Sequence, residues 1–213
     1  HDEKVRAKGD MVKKKKSEWA TGRMHLGGKI AGDDETFKKR YFPEYKPGEA
    51  PGKTQITNMQ AVPGENPAIR KRDLEKINNA TKSVRIESPY CTNPDIQNAL
   101  IKAAKRGVDV TVILPGESDH AFSHLAAAQK YPEMINAGVK IYEYPGFNHD
   151  KVMVTDGKFT TTGSSNLDDV ALYHIYEMNL NVDSEAFAKE TSERLFAKDV
   201  SVSKLMKASD ISK

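Results

Sequence analysis

Between Asn148 and Asp169 the chain reads NHDKVMVTDGKFTTTGSSNLDD. The imidazole of His149 stands two positions from the ammonium of Lys151, a D-G turn follows at Asp156-Gly157, and Gly163, Ser164, Ser165 and Asn166 close the run. Alternate residues of a strand share a face, so His149 and Lys151 point the same way while Val152 and Val154 face a core. Two groups that can both carry positive charge gain nothing structural from such proximity. The pairing makes sense when an anion lies between them. A lysine neutralises a phosphoryl oxygen as a compact point charge. An unprotonated histidine can attack phosphorus, and a protonated one can deliver a proton to a leaving oxygen. Gly163 would let the backbone approach the bound group, with Ser164, Ser165 and Asn166 offering hydroxyl and amide donors to its non-bridging oxygens. An imidazole in this role needs an acceptor for its second nitrogen, and Glu177, on the polar face of a later strand, is the expected one. Asp156 completes the ordered catalytic set, although its place in the turn also suits it to backbone hydrogen bonds.

A lone H-x-K or a lone D-G turn carries little information. The ordered set H-x-K-x4-D-x6-G-S-x-N is far more specific, and His149, Lys151, Asp156, Gly163, Ser164 and Asn166 satisfy it. A metal site is disfavoured because a lysine among would-be ligands repels a cation, so no metal or cofactor is expected. His120 in GESDH and Tyr90 in SPY follow strand ends, where open α/β sheets bind ligands, and both are expected to line the pocket. A surface histidine and a core tyrosine are the plainer alternatives.

The flanking sequence alternates in period. Asn66-Pro67 reads as an N-cap and first-turn proline opening a helix to about Thr81. Ser83–Ser88 alternates as a strand, Asn93-Pro94-Asp95 caps a helix ending at Gly107, and VDVTVILP is a β-branched run typical of a strand covered on both faces. Ser118 is expected to cap a helix over Asp119–Lys130, with a further turn over Pro132–Asn136 and a strand over Val139–Tyr144. Lys151–Thr155 and Lys158–Thr162 form a hairpin about the D-G turn. Glu177–Asp183 alternates with Glu177, Asn179 and Asn181 on one face, and a helix over Ser184–Ala197 closes the domain. The fold class is therefore α/β, a layered mixed β-sheet flanked by helices on both faces. Residues 1–50 read as irregular, the remnant of a first lobe in one reading. Residues 51–66 read as a Pro/Gly-rich linker with at most one strand near Thr54–Val62. Residues 67–200 form the lobe and residues 201–213 a polar tail, with the chain expected to fray after Lys198.

At 213 residues, with 38% apolar and 30% charged side chains and a net charge of +3, the chain has enough material for a core and a polar surface. That near-balance argues against a dedicated nucleic-acid binder, and the basic run Lys13–Lys16 reads as a solvated stretch. Cys91 is the only cysteine, so no intrachain disulfide is possible. No run of 18 apolar residues marks a membrane span, and no signal peptide is visible in a chain that opens on His1, which reads as a fragment or processed product. A peripheral membrane, periplasmic or secreted location is favoured.

The H-K-D set resembles the signature of the phospholipase D superfamily. The stretches AIRKRDLEKINNATKSVRIESPYC, ALIKAAKRGVDVTVILPGESDH, AGVKIYEYPGFNHDKVMVTDG and GSSNLD…YEMNLNV are similar to the C-terminal half of bacterial cardiolipin synthase-type members, over about residues 65–200. Cys91 departs from the aromatic that often follows S-P-Y. The resemblance implies a phosphodiesterase or phosphatidyltransferase acting on phospholipids at a membrane surface. In that chemistry His149 forms a phosphohistidine, Glu177 supports it, and a histidine of a second H-K-D set protonates the leaving group without a metal. In HDEKVRAKGD the spacing from His1 to Lys4 is one residue too long for that second set, and GRMHLGGKIAGDDETF has only the flavour of the glycine-rich segment that follows one. Three arrangements remain open: the C-terminal portion of a two-lobe enzyme, a one-set chain that forms a homodimer about a two-fold axis, or an inactive lobe that only binds phosphate or lipid. A nuclease, with nucleic acid as substrate, is the alternative activity.

Overall fold

The structure is a computed structural model that describes residues 25–26, 29–30, 54–62, 67–116 and 129–211. The chain divides into two units, residues 1–52 and 53–213. In the first, β1 (His25–Leu26) and β2 (Lys29–Ile30) pair antiparallel.

The second unit is built on one eight-stranded mixed sheet. Its strands in chain order are β3 (Gln55–Ala61), β4 (Ser83–Glu87), β5 (Asp109–Pro115), β6 (Lys140–Tyr144), β7 (Val152–Thr155), β8 (Phe159–Gly163), β9 (Glu177–Asp183) and β10 (Lys204–Leu205). Their spatial order is β10-β6-β5-β4-β7-β8-β9-β3. β4, β5 and β6 run parallel, and every other neighbouring pair is antiparallel. Val84 and Ile86 on β4 and Val110, Val112, Ile113 and Leu114 on β5 are all buried, as expected for central strands covered on both faces.

One face carries α1 (Ala68–Asn79), α2 (Pro94–Lys105) and α3 (Tyr131–Asn136), whose Ile69, Ile77, Ile96, Leu100 and Met134 join Val84, Ile86, Val112 and Met153 in the larger core. The other face carries α4 (Glu185–Thr191), a wide π-helical turn over Ser192–Phe196 and α5 (Ala197–Val202), with Ala188 and Phe196 packed against Ile113 and Val154. The α/β sandwich expected from the periodicity is thus the observed fold. Val154 does face a core, the smaller one, and Met153 supplies the larger.

Local signals explain the boundaries. The Asn93 side chain accepts from the Ile96 N–H at 3.0 Å, with Pro94 in the first turn, so α2 starts where its cap is strongest. Ser184 caps α4 through the Phe187 N–H. α1 instead starts at Pro67 with no side-chain cap, and Asn66 lies outside the described residues. So does the helix expected over Asp119–Lys130, apart from its last two positions. The tail expected to fray after Lys198 does not: Asp199 is buried, β10 pairs with β6, and α6 (Ala208–Ile211) follows. Leu205 opposite Tyr142, and the Met206 N–H bonded to the Ile141 carbonyl at 2.8 Å, give this polar segment a sheet edge to pair with.

β9 alternates as expected, but its polar face is the buried one. Glu177, Asn179 and Asn181 are 9%, 5% and 3% exposed, against 47% for Met178 and 39% for Leu180. Partners explain the inversion. Asn179 accepts from the Ser165 N–H and donates to Thr161 Oγ1, and Asn181 contacts Met59 Sδ.

Candidate active site

The topology brings four chain segments to one end of the sheet. β7 runs antiparallel to β4, so it begins where β4 ends; β8 ends where β7 begins, and β9 begins where β8 ends. The residues after β4, before β7, after β8 and before β9 therefore meet. Backbone bonds join them: the Leu167 N–H donates to the Tyr90 carbonyl at 3.2 Å, Thr92 and Asn93 donate to the Leu167 carbonyl, and Gly163 donates to the Lys151 carbonyl at 3.3 Å.

At this end His149 is exposed and Lys151 half-buried. The Lys151 ammonium lies 3.1 Å from Nδ1 and 3.3 Å from Nε2 of His149 and donates to the His149 carbonyl at 3.0 Å. Both residues precede β7, so they share no strand face as their spacing suggested, yet their side chains are in direct contact. Phe147, 53% exposed, stacks on the imidazole with ring centroids 5.6 Å apart and planes at 16°.

Across the gap, the Ser164 hydroxyl donates to Glu177 Oε2 and accepts from the Met178 N–H at 3.0 Å. Asn166 is half-buried, with its Oδ1 buried and unpartnered. Lys151, Ser165, Thr161 and Asn179 line one small cavity together with Asp73 of α1 and Glu87 of β4. Beside it, Tyr90, Thr92, Asn166, Asp168, Val170 and Ile175 line a groove of about 440 Å³, so Tyr90 does wall a pocket at a strand end. His120 lies outside the described residues.

Several expectations change. Glu177 bonds Ser164 and not the imidazole, because its place at the start of β9, beyond the end of β8, sets it beside the Ser164 hydroxyl. Ser165 is 4% exposed and spends its hydroxyl on the Asn166 carbonyl at 3.2 Å, so it shapes the loop and offers no donor outward. Gly163 is required by a close approach to β9: a Cβ there would come within 2.2 Å of the Met178 carbonyl oxygen and 2.6 Å of Asn179 Cα.

Asp156 stands at the opposite end of β7 from His149. At φ 53° it takes the left-handed conformation of the D-G turn, and its carboxylate accepts from the Thr81, Lys82 and Ser83 N–H groups and the Thr81 hydroxyl at 2.8–3.1 Å. Burial pulls this carboxyl upward, but the bonds from Ser83, Lys82 and Thr81 outweigh it and hold it below the usual carboxylate range. Asp156 ties the hairpin to the start of β4 and takes no part in the site.

Sequence reasoning missed five residues around this end of the sheet. Asn148 donates to Glu87 Oε1 and accepts from the Asp150 N–H at 2.8 Å. Glu87, Asp150 and Asp199 bring carboxylate oxygens within 4.8 Å of one another, the group among the described residues that could hold a metal ion. Asp73 sits between Ile69 and Ile77 on the buried stripe of α1, 2% exposed. Its spacing of four from each isoleucine was the available signal.

A family model described as cardiolipin synthase, PLD-like domain, matches residues 74–199. The chain belongs to this phospholipase D-like family. Within the family, a cardiolipin synthase of Clostridium perfringens is 40% identical over 137 residues, covering 63% of this chain and 28% of that protein. One of Listeria monocytogenes is 31% identical over 162 residues, covering 75% and 32%. The chain thus spans about a third of the length of these curated relatives. Among solved structures, the phospholipase D family member Nuc from Salmonella typhimurium aligns with a TM-score of 0.63 at 24% identity, over 72% of this chain and 99% of that one. The phosphatidylserine synthase of Haemophilus influenzae aligns at 0.61 and 13% identity, over 84% and 47%. Both share the phospholipase D-like fold. Among the described residues, no helix is long and apolar enough to cross a membrane.

Proposed function

We propose that this phospholipase D-like lobe carries out phosphodiester hydrolysis or phosphatidyl transfer on phospholipids through a phosphohistidine at His149. The observation that carries this reading is the Lys151 ammonium against the exposed His149 ring. A phosphodiester entering there meets a nucleophilic nitrogen and a point charge for its anionic oxygen. A ring nitrogen of His149 bonds to phosphorus as the ester oxygen departs, and a histidine of a second H-K-D set, from another lobe or a second subunit, protonates that oxygen. Water or an alcohol then attacks phosphorus and returns His149 to its free state. Asn166 serves as a donor to the non-bridging oxygens, while the Ser164 hydroxyl, its proton given to Glu177, holds the polar wall in place.

Two facts favour lipid as the substrate. The relatives at 31% and 40% identity are cardiolipin synthases. Exposed apolar side chains rim the site, with Val170 57% and Ile175 43% exposed on the groove, Tyr176 78% exposed beside them and Phe147 on the imidazole. Such a rim suits acyl chains and a membrane surface better than a polyanion.

The test pairs molar mass in solution with turnover of phosphatidylglycerol, phosphatidylcholine and single-stranded DNA, and with mass spectrometry of an acid-labile phosphoryl adduct. Lipid turnover with an adduct at His149, both lost in His149→Ala, is the expected result. Cleavage of the DNA alone would make the lobe a nuclease. Phosphate or vesicle binding that His149→Ala leaves intact, with no turnover by an oligomer, would make it a binding module.

A further inference from the structure

β4 ends on Glu87, 1% exposed, and the backbone partner opposite it on β7 is Val152, three residues past His149. Glu87 Oε1 accepts from Nδ2 of Asn148, itself 8% exposed, and Asn148 Oδ1 accepts from the Asp150 N–H. One side-chain amide therefore grips the chain on both sides of His149. On its other oxygen Glu87 has no hydrogen-bond partner, and that atom is buried. The titratable groups that act on it are Asp199, from α5 on the helical face, and Asp150, from the segment leading into β7. Burial first, then Asp199, then Asp150, push the Glu87 carboxyl above the usual carboxylate range.

We propose that Glu87 is the positioning residue of the nucleophile, holding His149 and Lys151 at the end of β4 through Asn148. The proposal rests on the reading of His149 as the reacting group. Glu87 Oε1 is the buried acceptor that fixes the Asn148 amide, and the oxygen of that amide fixes the Asp150 N–H, so His149 is held from both sides. Without that acceptor the amide loses its anchor on β4, and the segment that carries His149 loosens.

The experiment follows the His149 ring by NMR at neutral pH in the wild-type chain, Glu87→Gln, Glu87→Ala and Asn148→Ala, with hydrolysis of bis(p-nitrophenyl) phosphate measured in parallel. Glu87→Gln keeps an acceptor oxygen for Asn148 and should keep the wild-type His149 signals. Glu87→Ala and Asn148→Ala should both displace those signals and lower turnover by about a hundredfold, the double variant falling no further than either. The proposal is overturned if Glu87→Gln is as damaging as Glu87→Ala, or if Asn148→Ala leaves the ring signals unmoved. It also fails if calcium or magnesium displaces them in the wild-type chain and not in Glu87→Gln, which would make the three carboxylates a cation site. Because the ring signals do not depend on turnover, a chain inert toward the diester would sink the proposed function and still decide the positioning.

Discussion

The ammonium of Lys151 rests against both ring nitrogens of His149, 3.1 Å from one and 3.3 Å from the other, while a third contact anchors it on the His149 carbonyl. The lysine is thereby held where a substrate oxygen bound at the imidazole would meet its charge. Lys151→Met keeps the apolar stem and removes the charge. Turnover of a phosphodiester should fall by about 10²–10³, the scale of losing one preorganised electrostatic group, with unfolding free energy moving by about 0.5 kcal/mol or less. Steady-state kinetics beside urea unfolding separates the two.

Asp156 gives the opposite pattern. Asp156→Ala strands the Thr81, Lys82 and Ser83 N–H groups and should cost about 1–3 kcal/mol of stability. Asp156→Asn keeps an acceptor and tolerates the left-handed backbone, so it should lose less. The folded-state carboxyl lies below its ordinary value of 3.8, so its contribution is present above that pH and disappears as pH falls through the lowered value. Thermal unfolding from neutral to acid pH, compared between wild type and Asp156→Asn, reads this directly.

Gly163→Ala drives a Cβ into the Met178 carbonyl and the Asn179 backbone, neither of which can rotate away. Destabilisation of about 2 kcal/mol or more is expected, with amide exchange quickened in β8 and β9. A variant as stable as the wild type would disprove the close approach.

Ser164→Ala removes the donor from Glu177, whose side chain is 9% exposed. A buried carboxyl group stripped of its donor costs about 1–3 kcal/mol, and turnover should fall with it because the same hydroxyl holds the polar wall of the proposed site. Ser164→Thr keeps the hydroxyl and should recover part of both. Calorimetry and kinetics on the same preparations test the coupling.

Asp73 lies on the apolar stripe of α1, and burial pushes its carboxyl up to about 7 against a small opposing pull from Arg72. A raised folded-state value means that its contribution to stability is complete below the ordinary 3.8 and is lost as pH rises through about 7. Asp73→Asn should therefore stabilise the protein at pH 8 by on the order of a few kcal/mol and flatten the stability profile between weak acid and neutral pH. Urea midpoints at several pH values provide the check, and an unchanged slope would show that Asp73 ionises freely in the folded state.

Much of this molecule was legible in the residues because the informative signals are local. Period-two alternation located β4 and β9, a β-branched run located β5, Asn93-Pro94 and Ser184 marked two helix starts through their own side chains, and Asp156-Gly157 announced the turn between β7 and β8. The H-x-K parity placed His149 and Lys151 on one side, because that parity is a property of any extended backbone. The tail after Lys198 misled for the converse reason: its polarity describes its composition, whereas its order comes from the open edge of β6.

The sequence by itself determined the order of elements, the pairing of His149 with Lys151, and membership of a phospholipase D-like family. Tertiary structure alone decided who holds whom. It turned the polar face of β9 inward, gave the Glu177 carboxylate to Ser164, sent Asp156 to the far end of β7, and joined Glu87 to Asn148 across 61 positions of chain. Alternation and capping act between neighbours a few bonds apart, while these four outcomes depend on strand order and register, which are set only when distant segments pack against one another.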